Sequence, residues 1–412
     1  MKKIFTIALM LLVVHSASAF EIPLSKDSTK NEKYKFFIKG RIDTYAFFDS
    51  HTTLGAANGL TYSGPAMPNY ESGTLNDLNN EAQLRYSIGA SRIGGGGSIQ
   101  LTEKNSVDAY VEVDFTNQDS GSAFIGIRLR HAYARLNLGN SSILFGQTSH
   151  LSMYDEVAPA LVQFGGGFPF NSLARPVQFR FSQRFSGNMS LDVALSMNDG
   201  SEYQQQAFAM TPDLTARFTV GSPKSHTLAV FAGFKSIKPG LTAYVSDEDA
   251  RMNAFYGGIT GQVVAPEALK VSGSLFYGGD LSSIGMIGGY AASADLSGYS
   301  AINTLSAWLN VTTMRYNGFE FGAFVGYQAN MGTMSAIDED SVVALGAAAG
   351  VDNYWMVGPR AWYHYQMLSF GLEYMYGEST WMEGYNDQYQ SSGATYPPTS
   401  NNRVTLLARF TF

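Results

Sequence analysis

Asn-Arg-Val-Thr-Leu-Leu-Ala-Arg-Phe-Thr-Phe, residues 402–412, is the stretch that decides the fold of this chain. Successive side chains of a β-strand point to opposite faces. One face of this stretch carries Val404, Leu406, Ala408, Phe410 and Phe412, and the other carries Arg403, Thr405, Arg409 and Thr411. A strand with an unbroken apolar face and two arginines on its reverse is typical of a barrel wall between lipid and water.

Both ends of the chain indicate the bacterial outer membrane. The C-terminal Phe412 resembles the end of the terminal strand of outer-membrane β-barrels, the segment that their assembly machinery reads. At the N-terminus, Lys2 and Lys3 precede an apolar run, residues 4–14, and the small residues 17–19. This order predicts a secretory signal peptide over residues 1–19. We expect a short periplasmic segment, residues 20–34, and then a transmembrane barrel, residues 35–412.

Composition excludes several classes of protein. The chain has 412 residues and no cysteine, so it contains neither a disulfide scaffold nor a thiolate metal site. Its formal net charge is −7 and it has no basic runs, which argues against nucleic-acid binding. We find no stretch of eighteen apolar residues that could form a spanning helix, and no linker that would divide the chain. We therefore expect one domain with no metal and no cofactor.

Alternating segments recur along the whole chain, and the gaps between them alternate between short and long. Seven tight turns and eight long loops predict about sixteen strands. The fold class is an all-β transmembrane antiparallel β-barrel with short periplasmic turns and long extracellular loops. Two places deviate. The phase slips between Ile125 and Leu138, which predicts a bulge or a strand start near Arg130, and Gly94–Gly97 predicts a kink or close packing in the second strand.

Sixteen strands enclose more space than side chains fill, so we expect a water-filled lumen whose inward charges set selectivity. The residues predicted to line the pore and set selectivity are Lys39, Arg41, Arg85, Arg135, Arg180, Arg184, Arg403 and Arg409. The inward face also carries Arg217, Lys235 and Arg360.

Two basic patches follow from strand order. We expect Arg403, Arg409, Lys39 and Arg41 to form the first patch, because the last strand neighbours the first in a closed barrel. We expect Arg135, Arg180 and Arg184 to form the second. Such patches attract anions. Each arginine could instead form an ion pair with an acidic residue of the lumen and have only a structural role in the barrel wall.

The third long loop, residues 148–174, is the candidate constriction. Its many apolar side chains predict that it folds into the lumen and places Asp155 and Glu156 opposite the basic wall. Residues 152–163 could form a short helix with Ser152 and Asp155 as a capping pair. The alternative is an outward lid that packs on neighbouring loops.

At this loop the sequence is similar to a known family. Residues 145–156, Phe-Gly-Gln-Thr-Ser-His-Leu-Ser-Met-Tyr-Asp-Glu, and residues 175–182, Arg-Pro-Val-Gln-Phe-Arg-Phe-Ser, resemble the DcaP-like outer-membrane porins, as does the opening strand, residues 40–45. The resemblance implies a homotrimeric sixteen-stranded porin that admits small anionic solutes, including aromatic dicarboxylates. Some members carry a long N-terminal coiled coil. Only residues 20–33 precede the first strand here, so trimerisation would rest on the barrel wall.

Other readings stay open. Ser149, His150 and Asp155 are the residue types of a catalytic triad and suggest a barrel-embedded hydrolase. Adjacent Ser and His side chains on a loop point apart, however, which argues against a triad. A plugged structural or adhesive barrel that binds a partner through its loops is the other rival. Acidic loop runs could take divalent cations that bridge lipopolysaccharide, and Trp355, Trp362 and Trp381 could form an interface belt. We favour a non-enzymatic outer-membrane porin for passive diffusion of small hydrophilic solutes, with a preference for anions such as carboxylates.

Overall fold

The computed structural model describes residues 20–21, 33–117, 126–185, 188–198, 202–222, 224–265, 268–346 and 350–412. The predicted signal peptide, residues 1–19, and most of the segment 20–34 lie outside the described residues. The described part of the chain contains no helix that is long and apolar enough to cross a membrane.

Within the described residues, sixteen antiparallel strands form one closed barrel, which confirms the predicted fold class. They are β1 Tyr34–Asp49, β2 Gln83–Ser87 with Arg92–Gln100, β3 Asn105–Asn117, β4 Gly126–Leu138, β5 Ser141–Gln147, β6 Val177–Arg184, β7 Met189–Met197, β8 Asp213–Gly221, β9 Thr227–Ile237, β10 Met252–Ala265, β11 Leu269–Gly279, β12 Tyr299–Thr313, β13 Phe319–Thr333, β14 Val351–Tyr365, β15 Leu368–Trp381 and β16 Thr399–Thr411. Each strand pairs with its neighbours along the chain, and β16 pairs with β1 from Thr411 opposite Arg41 to Arg403 opposite Asp49. This pairing removes the free sheet edges that lipid could not solvate.

Short and long connections alternate around the barrel, as the sequence predicts. Several loops carry structure of their own, namely a hairpin of Thr53–Leu54 and Gly64–Pro65, the helix α1 Tyr203–Ala209, the 3-10 helices Leu281–Ile284 and Glu339–Ser341, and the short strands Gly288–Ala292 and Val343–Leu345. The two-residue strand Phe20–Glu21 pairs with β1 at Phe37 and Ile38.

Both predicted irregularities have a physical cause in the structure. Glu112 pairs with His131 and Val113 with Leu129, so Arg130 is an extra residue that has no cross-strand partner. This bulge reverses the inward parity and explains the phase slip. In β2 the interruption falls at residues 88–91, whereas Gly94–Gly97 lies within the strand and packs closely on β1. A Cβ at Gly96 would lie 2.8 Å from the Phe37 ring.

An apolar core occupies part of the barrel interior, contrary to the expectation of a wholly water-filled lumen. Inward side chains of β9–β15 pack against apolar side chains of the third long loop, and the members include Phe231, Phe276, Trp308, Phe324, Tyr354, Met356, Tyr154, Val157, Leu161 and Phe170. Trp362 and Trp381 are also buried, at 5% and 3% exposed, so they do not belong to an interface belt. The open space is therefore displaced toward the opposite wall.

Candidate functional site

Loop 3, residues 148–176, crosses the interior and packs on the wall formed by β9–β15. The Phe170 ring stacks on Tyr354 at 4.9 Å between centroids. Val162 covers Gly371, where a Cβ would lie 2.8 Å from Val162 Cγ1. The helix predicted over residues 152–163 is absent, and only turns occur there. Ser152 Oγ bonds to His150 Nδ1 and Ser172 Oγ, at 2.7 Å each, instead of capping a helix.

Polar ties from the wall hold loop 3 in place. Trp362 Nε1 donates to the carbonyl oxygen of Ala160 at 3.2 Å. Glu373 accepts from the backbone N–H groups of Val162 and Gln163 at 2.9 and 3.0 Å. Gln328 Nε2 donates to the carbonyl of Pro169 at 3.0 Å. These ties and the apolar packing leave loop 3 with one face on the wall and the other toward the open side of the lumen.

A cavity of about 360 Å³ lies between loop 3 and the wall of β1, β2, β4 and β16. Five arginines line it, namely Arg41, Arg92, Arg130, Arg175 and Arg409. Loop 3 contributes a largely apolar lining to the opposite side, namely Met153, Ala158, Pro159, Ala160, Leu161 and Phe164. The cavity therefore has four arginines on the barrel wall, and loop 3 adds Arg175 and an apolar surface.

Carboxylates balance these arginines only in part. Asp43 pairs with Arg41 at 2.9 Å and with Arg409 at 2.7 Å. Glu112 lies 2.7 Å from Arg130 and 3.6 Å from Arg92. The charged groups in and around the cavity are six arginines and four carboxylates, namely Arg41, Arg92, Arg128, Arg130, Arg175 and Arg409, and Asp43, Glu112, Asp114 and Asp155. The excess of guanidinium over carboxylate creates a positive potential in the cavity.

Arg175 is the least compensated of the lining arginines. Among the described residues it forms no ion pair within 4.0 Å, and its buried Nε has no hydrogen-bond partner. Burial and the neighbouring charge of Arg130 lower the pKa of Arg175 to about 9, so the guanidinium stays charged at neutral pH. A buried donor without a partner favours a solute that brings an acceptor.

The four residues of the first predicted patch do not share one environment in the structure. Arg41 and Arg409 line the cavity, and Lys39 is exposed, with its Nζ 4.5 Å from the Tyr110 ring centroid. Arg403 is fully buried and differs from the expectation of a lumen-lining residue. Its guanidinium lies between the rings of Phe47 and Tyr62, at 4.4 and 4.6 Å.

Loop 1, residues 50–82, is the reason that Arg403 is covered, because it also folds inward. Arg403 Nη2 donates to the carbonyl of Gly59 in this loop. Arg85 is held there as well, and its Nη2 donates to Asp49 Oδ2 at 2.5 Å and to Thr53 Oγ1 at 2.7 Å. Both arginines therefore tie loop 1 to the wall.

The second predicted patch lies on the wall beside the start of loop 3. Arg135 and Arg180 flank Leu144, which pairs with both across β5. Arg180 Nη2 donates to the carbonyl of Ser149 at 2.5 Å, and Arg184 is exposed at the end of β6. None of these three arginines lines the cavity described above.

The two predicted loop acids have different surroundings. Asp155 lines the cavity and accepts from Ser149 Oγ at 2.6 Å. Glu156 is exposed and does not line it. Only Asp155 therefore lies across the cavity from the arginines.

The alternation of side chains along the strands does not identify four of the basic residues near the cavity. Arg130 is the bulge residue and Arg128 lies two residues before it, where alternation fails, and Arg92 follows the break in β2. Arg175 lies in loop 3, where no strand parity applies. For Arg130 the sequence does contain a signal, because the slip in alternation between Ile125 and Leu138 falls near this residue.

The Ser149–His150 pair is not arranged for catalysis. Ser149 bonds to Asp155, whereas His150 Nδ1 bonds to Ser152 and His150 Nε2 lies 3.2 Å from Thr215 Oγ1. His150 is 3% exposed, and burial with the charges of Arg180 and Arg217 lowers its pKa to about 3. A catalytic base needs contact with its nucleophile and access to substrate, and this neutral imidazole is buried and bonds to Ser152 and Thr215 instead of Ser149. Within the described residues, no cluster of three metal-binding side chains occurs.

The sequence profile of the DcaP outer membrane protein family matches residues 7–234, which is more than half of the chain. The chain belongs to this family. As a DcaP-family protein it is an outer-membrane β-barrel of the porin type. No curated protein matches its sequence significantly.

Solved structures share the fold of this DcaP-family barrel. The outer membrane channel DcaP of Acinetobacter baumannii superposes with a TM-score of 0.68 at 17% identity, over 93% of this chain and 99% of that one. An anion-selective porin from Comamonas acidovorans gives 0.57 at 10% identity, over 92% and 100%. The trimer form of OmpT, an outer membrane protein of Vibrio cholerae, gives 0.53 at 12% identity, over 92% and 99%.

Proposed function

We propose that this porin favours small anions, with carboxylates as the preferred class. The observation that carries the proposal is the cavity lined by five arginines beside loop 3. Their planar guanidinium groups match the geometry of carboxylates and offer paired donors. A narrow passage with one sign of charge concentrates anions and speeds their passage. The named likeness to an anion-selective porin agrees with this proposal.

The apolar side of the cavity supports a finer statement about the solute. Leu161, Phe164 and Pro159 face the arginines across the passage. A solute with a carboxylate at one end or edge and an apolar body contacts both sides at once. Aromatic dicarboxylates, the class suggested by the resemblance, have this shape.

The assembly is proposed to be a homotrimer in contact with lipid and lipopolysaccharide. One relative in fold is described as a trimer form. The outward side chains of this barrel are apolar, for example Leu84, Tyr86, Leu406 and Phe410. Outward apolar side chains suit both lipid and a neighbouring barrel wall.

Reversal potentials of the purified protein in planar bilayers under a salt gradient test the anion preference. The reversal potential of wild type is expected to lie toward the equilibrium potential of the anion. In the double variant R41Q/R409Q it is expected to shift toward the equilibrium potential of the cation. The single variant R403Q serves as a control, because it removes an arginine that does not line the cavity. Equal potentials in wild type and the double variant would overturn the proposal.

A plugged barrel is the second candidate, because an apolar core that includes loop 3 lies inside the barrel. The same bilayer recording separates the two functions. Absence of conductance in correctly folded, heat-modifiable protein would favour the plugged barrel.

A further inference from the structure

Glu373 connects the barrel wall to the part of loop 3 that lines the constriction. It lies on β15 and is 1% exposed. Its oxygens accept from two consecutive backbone N–H groups, that of Val162 at 2.9 Å and that of Gln163 at 3.0 Å. We propose that Glu373 is a positioning residue that sets the width of the passage by holding loop 3 against the wall. This inference rests on the proposed channel function.

The chemistry of the contact makes it a strong tie. Both oxygens of Glu373 accept from backbone N–H groups, and such hydrogen bonds are about twice as strong as neutral ones when the carboxylate is ionised. Two consecutive N–H groups that converge on one anion form a small anion-binding nest. The pair is buried, so salt screens it little. Without the carboxylate, both N–H groups would be left without an acceptor in a buried site.

The position of the contact explains why it controls width. Ala160, Leu161, Gln163 and Phe164 of loop 3 line the cavity together with Arg41 and Arg409 of the barrel wall. Loop 3 contains no helix or strand, so its distance from the arginines depends on its ties to the wall. Within residues 158–166 of the described structure, these ties are the Glu373 contacts, the Trp362 bond to Ala160 and a weak Gln163 contact to Met356 Sδ at 3.8 Å. Glu373 supplies two of these contacts, through both of its carboxyl oxygens.

The variant E373Q tests the inference, with E320Q as its matched control. Both substitutions remove one inward carboxylate from the same region of the wall, since Glu320 lies on β13 and forms no hydrogen bond to loop 3 among the described residues. Only E373Q places an amide N–H against a backbone N–H. We expect E373Q to increase open-channel noise and to raise the passage of a bulky anion relative to chloride by about threefold. The sign of the ion selectivity is expected to stay the same, because the arginines remain.

A reversible crosslink provides an independent readout. A Cβ at Gly371 would lie 2.8 Å from Val162 Cγ1, which places the two Cβ atoms within roughly 4.3 Å of each other, inside the range for a disulfide. The substitutions V162C and G371C, added to E373Q, should restore the wild-type ratio when oxidised and lose it again on reduction. The chain has no native cysteine to interfere.

The outcomes are distinguishable. If wild type does not conduct, the proposed channel function fails. If wild type conducts, and E373Q shows the same noise and the same size ratio as E320Q, the inference about Glu373 is wrong while the channel function stands. Failure of the oxidised crosslink to restore the ratio in E373Q would equally overturn it.

Discussion

Arg41 and Arg409 share one carboxylate across the seam where the barrel closes. Arg41 lies on β1 and Arg409 on β16, and their Nε atoms lie 2.9 and 2.7 Å from the oxygens of Asp43. Asp43 is fully buried, whereas the two arginines are about one-fifth exposed. One negative charge thus holds two positive charges at the edge of the passage, and the remaining charge is available to a solute.

Replacing Asp43 by Asn should raise anion preference and lower stability together. The substitution leaves both guanidinium groups without their shared counter-ion, which strengthens the positive potential in the cavity. Breaking a buried ion pair costs on the order of 3–5 kcal/mol. Reversal potentials and urea unfolding in lipid vesicles measure the two effects. The idea is wrong if the variant becomes less anion-selective.

Arg403 is expected to matter for stability and not for selectivity. It is 0% exposed, lies 3.7 Å from Asp49 and is stacked between two rings beneath loop 1. R403Q should therefore lower the free energy of unfolding by on the order of 3 kcal/mol. Its reversal potential should equal that of wild type, in contrast to R409Q. A selectivity change in R403Q as large as that in R409Q would show that Arg403 is accessible from the lumen.

Acid should loosen loop 3 through His150. The pKa of this buried imidazole is lowered to about 3, so the folded loop holds it neutral, whereas a released loop would protonate it below about 6.5. The released state therefore binds more protons, and the stability of the closed loop falls as the pH drops from about 6.5 toward 3. Open-channel noise recorded from pH 7 to pH 4 should rise. H150Q cannot take up the proton, so a pH response as large as that of wild type in this variant would contradict the mechanism.

Lys235 should hold two extracellular loops together. Its Nζ is buried and lies 2.8 Å from Glu202 Oε2 in the loop before β8 and 2.5 Å from Asp280 Oδ2 in the loop after β11. K235M leaves both carboxylates without a cation, and the expected loss is on the order of 3–5 kcal/mol.

Limited proteolysis of intact cells should detect faster cleavage in these loops. The control K238M removes a surface lysine whose partner, Asp249, is 91% exposed, and it should leave cleavage unchanged. Equal cleavage of K235M and wild type would show that apolar packing alone holds the loops.

The face of each strand was predictable, but the surroundings of each inward residue were not. Arg403 and Arg409 share one face of β16 and are six residues apart, yet loop 1 covers one and leaves the other in the cavity. The sequence around Trp362 suggests an aromatic belt at the membrane interface, but the Nε1 of Trp362 donates a hydrogen bond to loop 3 inside the barrel. Contacts between residues about 200 positions apart leave no local trace in the sequence.

The sequence by itself determined the barrel, its sixteen strands and the basic character of the inward face, because every crossing of the bilayer must present apolar side chains to lipid at a period of two. The tertiary structure alone decided where the passage runs. Loops 1 and 3 fold inward, bury part of the charged face and place apolar side chains inside the barrel. Those loop side chains are buried by contacts with wall residues that are distant in the sequence, so no local sequence pattern predicts their burial.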